Sequence, residues 1–173
     1  MKIFTYSNEK LISAGLLIFR IALGAVMFAH GSQKVFGIFG GMGLDGTVKA
    51  MSAGLGIPVF FVYLSAFTEF LGGIGLLLGG LTRFFGIAVT INMLVAVLAV
   101  HLKNGFFAPT GFEYPGTLLL AALALTVTGP GLYSLDALLF GVKREVTKST
   151  SVSTANRTFT TKNGALKGTI RTV

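Results

Sequence analysis

The chain has no cysteine and no tryptophan, only four prolines, and few charges. Charged residues make up 12% of its 173 positions, about half the ~25% of a soluble globular protein. Without cysteine there is no disulfide, iron–sulfur cluster, dithiol relay or thiolate metal site. Without tryptophan, any aromatic belt must come from 16 Phe and 4 Tyr. What is present is apolar: 53% hydrophobic residues and a mean hydropathy of +0.79. Glycine is abundant at 24 residues, roughly twice its usual ~7% share. A soluble fold cannot hide so much apolar surface behind so few charges. These numbers define an integral membrane protein and exclude a disordered chain, a coiled coil and a secreted disulfide scaffold.

A spanning helix needs about 20 mostly apolar residues. Four stretches qualify, at about 11–29, 57–78, 84–100 and 115–138. Each should be helical, because a helix satisfies its own backbone in lipid. The short alternating strands of a membrane barrel are absent. The expected fold is all-α: an integral membrane four-helix bundle over residues 1–140. The first stretch is expected to remain as a helix rather than serve as a signal peptide. It is long, contains Arg20 and is followed by no A-x-A site.

Residues 79–83 form a tight turn, which makes the second and third spans an antiparallel hairpin. Residues 30–56 form a glycine-rich loop, where Asp45-Gly46-Thr47 can cap a short helix through about Ala53. Residues 101–114 form a shorter loop on the same side. Residues 141–173 are a basic, Thr- and Ser-rich tail, expected to be disordered. The tail reads as a flank that fixes topology or as a contact for anionic headgroups.

The net charge of +8 would suit nucleic acid, but seven of the 14 Lys and Arg follow residue 142. The chain ends and the 79–83 turn together hold ten basic residues, against Lys34, Lys49 and Lys103 on the other side. Both termini are therefore expected in the cytoplasm.

Ionisable residues within spans are costly and point to function. Arg20 lies nine residues from the start of the first stretch, and Glu69 nine residues before the end of the second. Asn92 lies at a similar depth in the third. Helical spacing places all three on faces rich in Gly and Ala. An intramembrane ion pair of Arg20 and Glu69 with Asn92 nearby is expected, as a register-fixing contact or as a proton relay. A second polar layer lies at the outer ends: His30, Lys34, His101, Asn104 and Glu113. His and Glu are suitable proton donors and acceptors, and lysine can contact an anion. These residues either line a site for a small anion or quinone, or anchor loop ends. On an uninterrupted helix His101 faces away from Asn92, so the helix must end or twist for both to look inward. The two histidines lie too near the boundary to suggest haem, and no metal-ligand spacing occurs.

Several short motifs fall in order along the chain. They are Arg20-x9-His30-Gly31-x2-Lys34, Gly56-Ile57-Pro58, Glu69-x2-Gly72-Gly73 and His101-x2-Asn104-Gly105-Phe106-Phe107. Gly111-Phe112-Glu113-Tyr114-Pro115 and Gly129-Pro130-Gly131-x-Tyr133-Ser134-x-Asp136 follow. Together, over residues 11–140, they resemble the DoxX family. The resemblance implies a four-helix protein of the bacterial inner membrane. It is similar to the small subunit of thiosulfate:quinone oxidoreductase, or to proteins linked to redox stress. It implies His30, His101 and Glu113 as catalytic candidates and Lys34 and Asn104 as quinone- or substrate-binding ones. A quinone is then the expected cofactor, with no metal, flavin or haem. The expected partners are the lipid bilayer and either a second copy or a soluble redox or sulfur-transfer enzyme, and not nucleic acid. Two functions compete: a quinone-linked oxidoreductase subunit acting on thiosulfate or a thiol, and a non-catalytic scaffold for a soluble partner. A transporter is disfavoured by the small number of spans and the absence of a repeat.

Overall fold

The computed structural model describes residues 8–141. The expected tail disorder falls outside them. The described residues are helical, with no strand among them. Helix α1 spans Glu9–Phe36. The side chain of Asn8 caps it by accepting from the Lys10 amide at 3.0 Å, and Gly37, with φ +74°, ends it. Its 28 residues reach about 42 Å at 1.5 Å per residue, more than the ~30 Å hydrocarbon core of a bilayer. The helix thus continues past the expected end of the first span, and His30 and Lys34 sit on it rather than in a loop.

Helix α2 (Gly43–Val48) and a wider π-type turn, Lys49–Ala53, occupy the glycine-rich connection. Helix α3 (Val59–Leu78) starts after Pro58 and ends at Gly79. Helix α4 (Thr82–Ala96) follows as the expected hairpin. It continues through a π-type turn at Val97–His101 and a 3₁₀ turn at Leu102–Asn104. Helix α5 is Glu113–Thr128. The fourth stretch is therefore not one span to residue 138. It breaks at Gly129-Pro130-Gly131, where both glycines have positive φ, and resumes as helix α6, Leu135–Phe140. Among the described residues, three helices are long and apolar enough to cross a membrane, and α5 is a shorter apolar fourth.

Helix α1 packs along α3, α3 on α4, and α4 along α5. The shared core holds Leu23, Met27, Leu76, Val89, Met93, Ala122 and Leu125. Most outward-facing large side chains are apolar, among them Ile18, Phe60, Ile91 and Leu120, as lipid contact requires.

Glycine sets the distance between helices. A Cβ on Gly31 would strike the backbone of Phe70, one on Gly73 the backbone of Phe28, and one on Gly24 the backbone of Leu77. Bare glycine lets α1 and α3 touch main chain to main chain, a close approach that membrane helices use in place of a hydrophobic driving force. Gly15, by contrast, faces open space. Gly73→Ala should therefore lower the melting temperature in detergent, by the ~1–3 kcal/mol of an overpacked contact. Gly15→Ala should leave it unchanged or raise it, since alanine favours helix. Equal effects at the two positions would contradict this packing.

Candidate functional site

The glycine contacts fix the register of the α1–α3 pair. Gly24 lies against Leu77, Phe28 against Gly73, and Gly31 against Phe70. One turn before Gly24, Arg20 is level with the end of α3. One turn beyond Gly31, Lys34 is near Glu69. The expected Arg20–Glu69 ion pair is therefore replaced by two separate arrangements at opposite ends of the bundle. The expectation measured depth from Leu11, where the apolar run begins. Helix α1 extends well beyond the end of α3, so equal counts from the two run ends do not mean equal depth.

At one end, Arg20 is 1% exposed. It donates to the carbonyl oxygens of Pro130 at 2.6 Å and Tyr133 at 2.8 Å. These carbonyls belong to the break between α5 and α6. Gly79, with φ +67°, passes directly beside the guanidinium, where a Cβ would collide with it. Asp136 completes this end. Its carboxylate accepts from the amides of Leu81 at 2.7 Å and Thr82 at 2.9 Å, which caps α4. Ser13 accepts from the Leu132 amide at 3.1 Å. Every group here except the Arg20 Nε and the Thr82 hydroxyl has a partner, so this end is a structural clamp.

At the other end, Lys34 donates to Glu69 Oε1 at 2.5 Å, and Asn92 donates to the same oxygen at 3.1 Å. Glu69 is 4% exposed, and its Oε2 is buried without a hydrogen-bond partner. A buried carboxylate oxygen left unmatched is costly and marks a place where a proton or a donor group fits. Thr47 on α2 reaches back to the Lys34 carbonyl at 3.3 Å. One turn below Lys34, His30 Nε2 lies 3.0 Å from the Tyr114 hydroxyl on α5. His30 and Lys34 are four residues apart and share a face of α1. An imidazole, a phenol, an ammonium and a carboxylate thus gather at one end of the bundle, all able to exchange protons.

The remaining expected residues divide differently. His101 Nδ1 meets the Thr110 carbonyl at 2.8 Å, and the Asn104 amide donates to the same oxygen at 3.2 Å. Both hold the 105–112 connection and are not joined by hydrogen bonds to the Lys34–Glu69 cluster. The π-type turn ending at His101 supplies the twist that an inward-looking histidine requires, and it directs the ring to this loop. Glu113 opens α5; its amide donates to the Phe106 carbonyl at 2.8 Å, its carbonyl accepts from the Thr117 hydroxyl at 2.7 Å, and its side chain makes no hydrogen bond among the described residues. Tyr114 was not among the expected site residues. Its neighbour Glu113 has the more familiar catalytic side chain, and only the fold shows that Tyr114 faces His30. No group of His, Asp and Glu suited to a metal occurs among the described residues.

The helical membrane architecture is that of a known class. The DoxX family profile matches residues 15–102, and the chain belongs to the DoxX family. It is 30% identical over 136 residues to "Putative oxidoreductase CatD" of Bacillus subtilis, covering 79% of this chain and 95% of that protein. It is 31% identical to "Inner membrane protein YqjF" of Escherichia coli, over 76% of this chain and 96% of that one. An uncharacterized membrane protein of Mycobacterium tuberculosis is 29% identical over 70% of this chain and 78% of its own length. No solved structure gives a significant match. The chain is a multi-pass membrane protein.

The Lys34–Glu69 contact predicts a specific pattern in a mutant cycle. Lys34→Met and Glu69→Gln should each destabilise the fold by on the order of 3 kcal/mol, the cost of a stranded buried charge, and so lower the melting temperature. The double variant should recover part of that loss. Arg20→Met should show no such coupling to Glu69→Gln. Coupling with Arg20 in place of Lys34 would contradict the assignment.

Proposed function

We propose that this protein is a quinone-linked oxidoreductase subunit whose working site is the His30, Lys34, Glu69, Asn92 and Tyr114 cluster. The observation that carries the proposal is Glu69: a buried carboxylate held by Lys34 and Asn92 with one oxygen unmatched. A bound quinone supplies an acceptor for two electrons and two protons. Lys34, His30 and Tyr114 would hold the headgroup as hydrogen-bond donors to its oxygens, and Glu69 would serve as the nearby group that holds a proton. The electrons come from a small reductant. Two thiosulfates joined as tetrathionate release two electrons, and two thiols joined as a disulfide release two electrons and two protons. Lys103 favours the approach of an anionic donor. The name of the Bacillus subtilis relative supports redox chemistry in this class.

A second reading is a membrane scaffold for a soluble redox or sulfur-transfer enzyme. The lack of cysteine favours it, because the chain brings no thiol of its own to carry electrons. The two readings separate in one assay. The purified protein should reduce a short-tailed quinone analogue with thiosulfate or a thiol donor, and Glu69→Gln should lower that rate at least about tenfold, the loss typical of a removed proton-transfer group. No reduction without an added soluble partner, and full reduction with it, would support the scaffold instead.

The compartment of the reductant depends on orientation. The ten-to-three distribution of Lys and Arg places both chain ends in the cytoplasm and the Lys34 end of the bundle outside. A periplasmic phosphatase fused after Val173 should be inactive, and a cytoplasmic reporter there should be active. The reverse result would move the site to the cytoplasmic face.

A further inference from the structure

Three of the four interfaces around the bundle are closed by glycine. Gly24, Gly31 and Gly73 join α1 to α3, and Gly72 and Gly75 seat Val89 and Phe85 between α3 and α4. Gly86 meets Thr126 and the Ala122 carbonyl between α4 and α5. The interface between α1 and α5 has no such contact among the described glycines. At the Arg20 end it is tied by the 129–133 segment, where Gly131 touches Leu16 and Ser13 and Arg20 grips Pro130 and Tyr133. At the Lys34 end it is closed by the single His30–Tyr114 hydrogen bond.

The side chains along this interface grade from dry to accessible. On α1 the residues Ser13, Leu16, Arg20, Leu23, Met27, His30 and Lys34 recur at alternating steps of three and four, one helical stripe. Leu23 and Met27 are buried in the core, whereas His30 is exposed. On α5 the matching stripe is Tyr114, Leu118, Ala121 and Leu125. Leu125 is buried, Leu118 and Ala121 are half-buried against the core, and Tyr114 is 46% exposed. Helix α5 has 16 residues against 28 in α1, so it cannot cover the full length of its neighbour. An imidazole and a phenol therefore stand open on an apolar flank, with Lys34 and Glu69 one turn behind them. Polar groups on such a flank are costly unless matched, and here each is matched only by the other.

We propose that the Lys34 end of the α1–α5 interface is the entrance by which a ligand with an apolar tail reaches the site from within the bilayer. The ring oxygens replace the His30–Tyr114 hydrogen bond, and the tail lies against Leu118 and Ala121. This rests on the quinone reading above, and it adds that the tail is recognised and that Tyr114 is a binding residue at the door. A water-borne ligand entering from the loop side would need neither.

The test compares two benzoquinones with the same methoxy-substituted ring, one bearing a decyl tail and one without it. Binding is measured on the full chain in nanodiscs of fixed lipid composition. With both compounds expressed as mole fraction in the lipid, so that partitioning of the tail is removed, the wild type should bind the decyl compound about tenfold more tightly, the gain from packing the tail against Leu118 and Ala121. Leu118→Trp should fill the tail position and remove that advantage while leaving the tail-free compound's affinity within about twofold. Ala121→Leu, a milder filling, should do the same in part and guards against misfolding of the tryptophan variant. Tyr114→Phe should weaken both compounds. An unchanged tail advantage in folded Leu118→Trp and Ala121→Leu would overturn the entrance while leaving the quinone reading intact. Failure of the wild type to bind either compound would overturn both.

Discussion

The contact on which the rest depends is the close approach of α1 and α3. Glycines 24, 31 and 73 let the two backbones meet, and that meeting allows only one register. The register places Lys34 against Glu69 and Arg20 beside the α3–α4 turn. A one-turn slip along α1 would move both charges by about 5.4 Å, leaving each without its partner. The glycines thus determine which cation neutralises the one buried carboxylate, although none of them takes part in any chemistry.

The two ends of the bundle meet the cost of buried charge in different ways. Arg20 is neutralised by carbonyls that the α5–α6 break leaves free, with Asp136 close by and capping α4. That arrangement binds the turn, the break and α1 into one unit. Glu69 is held less completely: one oxygen has two donors and the other has none. The Glu69 end also carries the histidine and the tyrosine, so four proton-exchanging side chains are gathered at the end opposite the clamp.

Much of the fold was legible in the sequence. The apolar runs, the 79–83 turn and a short helix near Asp45 follow from composition and glycine–proline punctuation, although that helix starts at Gly43 rather than at a cap on Asp45 and the fourth run breaks at Gly129-Pro130-Gly131 instead of continuing to residue 138. Two features were not. The extension of α1 to Phe36 passes through His30, Gln33 and Lys34, which read as a loop by hydropathy. The helix persists there because Gly31 packs on Phe70 and Gly37 supplies a C-cap. The depth argument for Arg20 and Glu69 failed at the opposite end, where α1 starts well before the level at which α3 ends, so that Arg20 lies beside Gly79. Asn92 was placed near Glu69 correctly in space, since α3 and α4 are joined by a short turn that leaves little freedom of register. Tyr114 could not be singled out, because its pairing with His30 spans 84 positions and depends on how α5 returns against α1.

The central claim is that Lys34, not Arg20, is the partner of Glu69. A lipid-soluble carbodiimide tests it chemically. The O-acylisourea it forms on Glu69 should be attacked by the neighbouring lysine amine, releasing the urea and leaving an amide, and mass spectrometry should find Lys34 and Glu69 joined. Lys34→Arg should abolish that cross-link, because a guanidinium does not couple in this way. The account predicts the linked peptide in the wild type and a stable carbodiimide adduct on Glu69 in the variant. An adduct on Glu69 in the wild type, with Lys34 left free, would contradict it.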